Sequence, residues 1–209
     1  MTRQRPARVF PLFVKLQNRP SLVVGAGAIA EGKIADLLEA EAKVQVVAPE
    51  ATAKVQSWAE EGKLEWHRRP FQPSDLQAMF LVVAATSSSQ LHEQIFFEAH
   101  RQGVLCNVVD VPHLCDFYYP AVVRRGSLQI AISTAGESPA LAQRLRKELE
   151  AQFGPEYEAW VTALGEARAE IATRDLTPED RKELLHQLAT DEFFQLFKDH
   201  LKKAKEEKS

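Results

Sequence analysis

From residue 21 to about residue 110 the chain alternates between short apolar runs and stretches whose apolar residues recur at helical spacing. Residues 21–24, 44–48, 80–85 and 104–109 are β-rich apolar runs, and 64–67 is a weaker one. Between them, 29–41 sets Ile34, Leu37 and Leu38 at helical spacing. Residues 51–62 set Val55, Trp58 and Ala59 on one face, and 91–102 reads as a third helix. Continuous apolar strands alternating with helices predict a parallel sheet covered on both faces.

After residue 110 the rhythm changes. Residues 117–124 and 127–133 are β-rich and joined near Arg125-Gly126, which predicts a hairpin. A two-stranded ribbon is marginal alone, so it must pack on something, a second chain among the candidates. Ser138-Pro139 reads as an N-cap followed by proline at the first helical position, opening a helix to about residue 153 that Gly154 can end. The remainder is all-helical in pattern. Thr177-Pro178-Glu179-Asp180 repeats the cap-and-proline start, and Leu184, Leu185, Leu188, Phe193, Phe194, Leu196 and Phe197 form an apolar stripe. Residues 202–209 read as a frayed, solvated tail, and there is no internal repeat.

Composition narrows the classes. The chain has 209 residues, 45% hydrophobic and 26% charged, which fits a folded globule and excludes collagen-like, low-complexity and disulfide-dense chains. Its net charge of −3 draws it to neither nucleic acid nor an anionic membrane. No apolar run reaches the roughly 18–20 residues that a membrane span needs. The start carries Arg3, Arg5, Arg8, Lys15 and Arg19, but Pro6, Pro11 and interleaved charges deny it the apolar core of a signal peptide. It reads as a solvated arm, and the protein as cytoplasmic. The two cysteines, Cys106 and Cys115, match neither a zinc nor a redox spacing and read as reduced thiols.

Gly25-Ala26-Gly27-Ala28-Ile29-Ala30 follows the first strand and opens the first helix, the context in which G-x-G-x-x-A has meaning. Gly25 serves the tight turn, Gly27 lets backbone amides approach a diphosphate, and Ala30 lets helix and strand pack closely. The expectation is a Rossmann-type dinucleotide site. Glu50, beyond Pro49 after the second strand, reads either as the acceptor for ribose hydroxyls or as a solvated residue or cap before the next helix. No arginine follows that strand closely, so NAD is expected over NADP. Thr86, after the strand at 80–85, faces the cofactor, caps the next helix, or does both. Asp110 ends the last parallel run at the edge where ligands bind. Its alternative is a turn former before Pro112. Asn107 reads as an orienting group or a satisfied sheet residue, and His113 as a second site group or a surface residue.

These segments, with Pro11-Leu12-Phe13, Ala84-Ala85-Thr86, the run from Asn107 to Pro112 and the run from Ser133 to Pro139, resemble the precorrin-2 dehydrogenase family, the module that opens bifunctional siroheme synthases. The resemblance implies NAD-dependent oxidation of precorrin-2 to sirohydrochlorin, with insertion of ferrous iron (Fe2+ as substrate) in some members. It implies a homodimer with an NAD domain over 1–112, an interlocked dimerisation domain over 113–153 and a C-terminal helical domain over 154–209. It assigns Asp110 as the acid/base residue and Gly25, Gly27, Ala28, Ile29, Pro49 and Glu50 as NAD contacts. The family pattern often has a basic residue where Gly32 stands, followed by the matching Lys33. A tetrapyrrole rich in carboxylates needs cations and amides, for which Arg124 and Arg125, Arg144, Arg146 and Lys147, and the helix start with Thr134, Gly136 and Ser138 are candidates. Each basic residue reads equally as part of a solvated face. The competing reading is an NAD-binding regulatory module without turnover. An iron-handling protein is disfavoured because the six histidines form no ligand pattern.

Overall fold

The computed structural model describes residues 8–206. Arg3, Arg5 and Pro6 of the expected arm and residues 207–209 of the expected tail lie outside them. The chain divides into two compact units, one ending at Tyr119 and the other beginning at Pro120.

The first unit is built on a five-stranded parallel sheet of order β3-β2-β1-β4-β5. Its strands are β1 (Pro20–Val24), β2 (Lys43–Val47), β3 (Glu65–His67), β4 (Leu81–Ala84) and β5 (Leu105–Val108). The helices α1 (Ala28–Glu39), α2 (Ala53–Glu60) and α3 (Ser89–Gln102) connect successive strands, apart from the β3-to-β4 link. The chain runs outward from β1 to β3 and then returns to the other side of β1, so the order reverses between β1 and β4, the topological switch point. Period-two alternation sends Val23, Val46 and Val83 toward α1 and α2, where Ala30, Ile34, Leu37 and Val55 are fully or nearly buried. It sends Leu22, Val24, Val82, Ala84 and Val108 to the other face, against Ile95 and Ala99 of α3. Each fully buried aliphatic side chain contributes about 1.5–3 kcal/mol.

Residues 111–119 do not leave this unit. Leu114 joins the α3-side core, while Phe117 and Tyr119 pack on the α1 side. Cys115 pairs with Asn107 in an antiparallel bridge at the β5 edge. The Asp116 N–H donates to the Cys106 carbonyl at 2.7 Å, and the Cys106 N–H returns to the Asp116 carboxylate at 2.9 Å. The expected boundary at 112/113 and the strand expected from 117 are therefore displaced. Leu114, Phe117 and Tyr119 find core faces already built, and the segment wraps the sheet edge that would otherwise stand open.

In the second unit β6 (Ala121–Arg125) and β7 (Leu128–Ile132) form the antiparallel hairpin, closed by Gly126-Ser127. α4 (Pro139–Gln152) and α5 (Glu156–Ala172) pack on both strands, and α6 (Pro178–Leu188) and α7 (Asp191–Glu206) pack on α5. The ribbon-helix and C-terminal helical segments form one unit here. The caps expected for α4 and α6 are present: the Ser138 hydroxyl accepts the Leu141 N–H and the Thr177 hydroxyl accepts the Asp180 N–H. Phe194 sits between Tyr157 and Trp160, with ring centroids 4.5 and 5.6 Å away. The apolar stripe is split between α6 and α7. Phe194 is buried, whereas Phe193 and Leu196 stay 40% and 59% exposed. The tail is helical through Glu206 rather than frayed, because Lys202, Lys203, Ala204, Lys205 and Glu206 are all strong helix formers continuing an established helix. No described helix is long and apolar enough to cross a membrane.

Candidate functional site

At the end of β1 the backbone turns through Gly25, whose φ is +104°. A Cβ there would lie 2.3 Å from the Ala85 carbonyl oxygen, so β1 and β4 come together only around a glycine. The Gly25 N–H donates to the Val47 carbonyl at 3.0 Å, and the Ala26 carbonyl accepts the Thr52 N–H at 3.1 Å, tying the turn to β2 and α2. Gly27 has a different reason. Its backbone is extended, and a Cβ on it would meet nothing within 4 Å. It caps α1 without a side chain, whereas α2, α3, α4 and α6 are capped by the hydroxyls of Thr52, Ser88, Ser138 and Thr177. The first N–H groups of α1, from Ala28 onward, thus point outward at a positive helix end. Beside them Ile29 is 63% exposed, an uncovered apolar side chain in the first turn. An open backbone cradle with an apolar neighbour fits a diphosphate and its nucleoside.

Pro49 and Glu50 are exposed just past β2. The cap of α2 is Thr52, whose hydroxyl accepts the Val55 N–H at 3.4 Å, so Glu50 is not spent on that helix. Thr86 is half-buried beside Gly25, and its carbonyl accepts from Nε2 of buried His92 at 2.9 Å. Ser88 is the side-chain cap of α3; the Thr86 hydroxyl accepts the Ser88 N–H at 3.4 Å, bracing the loop before it.

Asp110 lies at the same carboxyl edge of the sheet, two strands from the glycine turn, which is about 10 Å at the usual strand spacing. Its φ is +61°, and it is exposed. A left-handed non-glycine residue costs on the order of 1 kcal/mol, which aspartate tolerates better than most. The turn carrying it is closed by the Val111 N–H donating to the Val108 carbonyl at 3.2 Å. Cys115 braces the same turn, its thiol donating toward the Val108 and Val111 carbonyls at 3.1 and 3.3 Å. Burial raises the pKa of both thiols, that of Cys106 to about 12 with help from Asp116. Both are held protonated, away from the nucleophilic thiolate form. Asn107 is 6% exposed and donates to the Phe117 carbonyl at 2.7 Å, so its amide holds the returning segment and does not face a ligand. Of the two sequence readings of Asn107, orienting group and satisfied sheet residue, these contacts match the second. His113 is exposed on the 3₁₀ turn Pro112–Leu114 that follows Asp110.

Two further groups that the sequence did not single out for the site meet on the α1 side of the sheet. Lys33, half-buried on α1, places its ammonium 3.5 Å from the centroid of the Tyr119 ring. Burial lowers its pKa, while the fields of Asp36 and Asp110 raise it. Burial and Asp36 together push the Tyr119 phenol up. The available signal was Lys33 three residues after Ala30, one helical turn along from the cradle.

In the second unit the loop before α4 is ordered by its own hydroxyls. The Ser133 hydroxyl accepts the Ala135 N–H and the Thr134 hydroxyl accepts the Ser138 N–H, both at 3.1 Å. Ala135 and Gly136 follow one another with positive φ. Each hydroxyl that accepts from the backbone retains its own proton to donate outward. Arg124 is exposed, and Arg144 is exposed with Glu148 at 3.3 Å. Arg125 is not a ligand group: it donates to the Phe153 and Glu150 carbonyls at 2.8 and 3.0 Å, capping the end of α4. Among the described residues no three His, Cys, Asp or Glu side chains gather to hold a metal ion.

Residues 12–121, more than half of the chain, match the model of a family described as NAD(P)-binding. The chain belongs to this NAD(P)-binding family. In it, residues 125–152 also match a model described as sirohaem biosynthesis protein central. A siroheme synthase of Photorhabdus laumondii subsp. laumondii is 37% identical over 89% of this chain and 40% of its own length. Siroheme synthase 1 of Aeromonas hydrophila subsp. hydrophila is 39% identical over 77% of this chain and 35% of its own. The chain thus spans about two fifths of the curated relatives it matches. Among solved structures, SirC, a precorrin-2 dehydrogenase, superposes with a TM-score of 0.78 at 28% identity, covering 91% of this chain and all of that one.

Proposed function

We propose that the chain is an NAD-dependent dehydrogenase that oxidises precorrin-2 to sirohydrochlorin. The observation that carries this reading is the end-to-end likeness to a precorrin-2 dehydrogenase. The glycine cradle and Asp110 at one edge of one sheet support it. In the reaction the macrocycle loses a hydride and a proton, giving sirohydrochlorin, NADH and H⁺. NAD, when bound, accepts the hydride. The chain supplies the rest: the outward N–H groups after Gly25 and Gly27, at Ala28 and Ile29, receive the diphosphate. Glu50, beside Pro49, accepts from the ribose hydroxyls and disfavours a 2′-phosphate, and Thr86 lines the strand end. Asp110, held at the carboxyl edge of the sheet by the turn that Cys115 braces, takes the proton. His113, Arg124, Arg144 and the Thr134, Gly136 and Ser138 loop serve the substrate carboxylates. The active form is a homodimer in the cytoplasm, with the β6–β7 ribbon as its joint. Ferrous iron is a further substrate if the chain also metallates sirohydrochlorin.

The test is an anaerobic mixture of protein, precorrin-2 and NAD followed by absorption. Sirohydrochlorin should form only with NAD, and Asp110→Asn should lower turnover by about 10²–10⁴ with NAD affinity retained. Intact NAD binding without turnover in the wild type would replace this reading with a regulatory module. Sirohydrochlorin plus Fe²⁺ without NAD decides the metallation step.

A further inference from the structure

We infer that His92 is a positioning residue for the nucleotide: by holding the Thr86 carbonyl, its imidazole turns the Ser87 N–H outward as a donor to an oxygen of the bound dinucleotide. The inference rests on the reading of the glycine turn as an NAD site. His92 is 9% exposed and shares one face of α3 with Ile95 and Ala99, which pack on the sheet. A polar ring at the head of an apolar face needs a partner. It has one in the Thr86 carbonyl, 2.9 Å from Nε2, and because a carbonyl only accepts, Nε2 carries the proton. Were that carbonyl to turn away, a buried donor would be left unpaired, so the ring fixes the plane of the Thr86–Ser87 peptide.

That peptide is trans, so its carbonyl and its N–H point in opposite directions. With the carbonyl drawn toward the buried face of α3, the Ser87 N–H points outward past the end of β4. Among the described residues it meets no acceptor, and Ser87 is exposed. The Ala85 N–H, by contrast, is taken by the Val24 carbonyl at 2.8 Å, and the Ser88 N–H by the Thr86 hydroxyl at 3.4 Å. The loop 85–88 also abuts the glycine turn: the Ala85 carbonyl oxygen lies 2.3 Å from where a Cβ on Gly25 would stand. β1 and β4 flank the switch point, so the free donor is carried on the loop next to the turn that receives the diphosphate. With the peptide plane reversed, the Thr86 carbonyl would face the phosphate and carbonyl oxygens of the cofactor, acceptor against acceptor. His92 preorganises the loop against that reversal.

Two variants and one resonance test this. His92→Phe keeps a ring and removes the donor, and is expected to weaken NAD binding about tenfold by calorimetry. His92→Gln returns an N–H near the Nε2 position and should bring the affinity back to within about threefold of the wild type. Without any variant, the Ser87 amide proton of the wild type should shift downfield on saturation with NAD, and in His92→Phe it should shift less. A Ser87 amide unmoved by bound NAD, an unchanged affinity in His92→Phe, or a His92→Gln as weak as His92→Phe would overturn the inference. A wild type that shows the NAD-dependent shift but turns over no precorrin-2 would remove the dehydrogenase reading and leave the role of His92 standing. Intact turnover with an unmoved Ser87 amide would do the reverse.

Discussion

The two units solve the same problem, covering apolar strands, in opposite ways. In the first, β4 is buried along its whole length and β1 along all but its first residue. Both faces are closed by residues of the same unit, including the returning segment 111–119. In the second, Val123 is the one fully buried residue of β6 and β7, and Leu128, Ile130 and Ile132 are only partly covered. A parallel sheet with crossover helices completes its own core, whereas a two-stranded ribbon has one face for its helices and one to spare. The glycine turn and Asp110 stand on the closed unit, where precision is inexpensive. The ribbon is the part with unfinished packing, which is why it is the proposed joint of a dimer.

The sharpest way to break this contrast is at the glycine turn. Gly25→Ala is expected to destabilise the first unit by about 4 kcal/mol, from a backbone clash and a positive φ together, measured by denaturant unfolding. Gly27→Val should leave that midpoint in place and weaken NAD binding about tenfold or more by calorimetry, since its Cβ meets no protein atom. If both substitutions behaved alike, the two glycines would not have the separate roles described.

The next effect lies in the second unit. Phe194→Ala should cost about 3 kcal/mol there by emptying the space between Tyr157 and Trp160, while unfolding of the first unit is unchanged. Two resolved melting steps would sharpen the comparison, and a shared shift would blur it. If the ribbon is a dimer joint, the second step also rises with protein concentration, by about 1.4 kcal/mol per tenfold. A melting temperature independent of concentration, together with a monomer in sedimentation, would leave the ribbon face without its proposed cover.

The smallest effect concerns acid. Burial pushes the Asp75 carboxyl up, but two hydrogen bonds from Arg69 at 2.9 and 2.6 Å and one from the Gln72 N–H outweigh it and hold its pKa below the ordinary value. A depressed folded-state pKa contributes stability that is present above the unfolded value of about 3.9 and is lost as pH falls through the folded one. Arg69→Met should remove about 1 kcal/mol at neutral pH and flatten the decline below about pH 4, read from unfolding midpoints at several pH values. An unchanged acid limb would show that this pair has no part in it.

The sequence by itself determined every strand and α-helix of the first unit to within a few residues, the hairpin, and the caps at Ser138 and Thr177, but not the two 3₁₀ turns at Pro73–Leu76 and Pro112–Leu114. These depend on neighbours along the chain: period-two and helical spacing, hydroxyls before helices, glycine where φ must be positive. It also named Gly25, Gly27 and Asp110, because a turn after a strand is a local event. Only the tertiary structure decided what residues 111–119 do. Whether Leu114, Phe117 and Tyr119 open a new domain or close an old one depends on core faces made by residues as distant as Val23 and Ile95. For the same reason Asn107 and Arg125 became structural ties and Cys115 a brace, and Lys33 came to lie on the Tyr119 ring. Hydrogen bonds and fields between residues far apart in the chain exist only once packing has brought them together, and no spacing along the sequence records them.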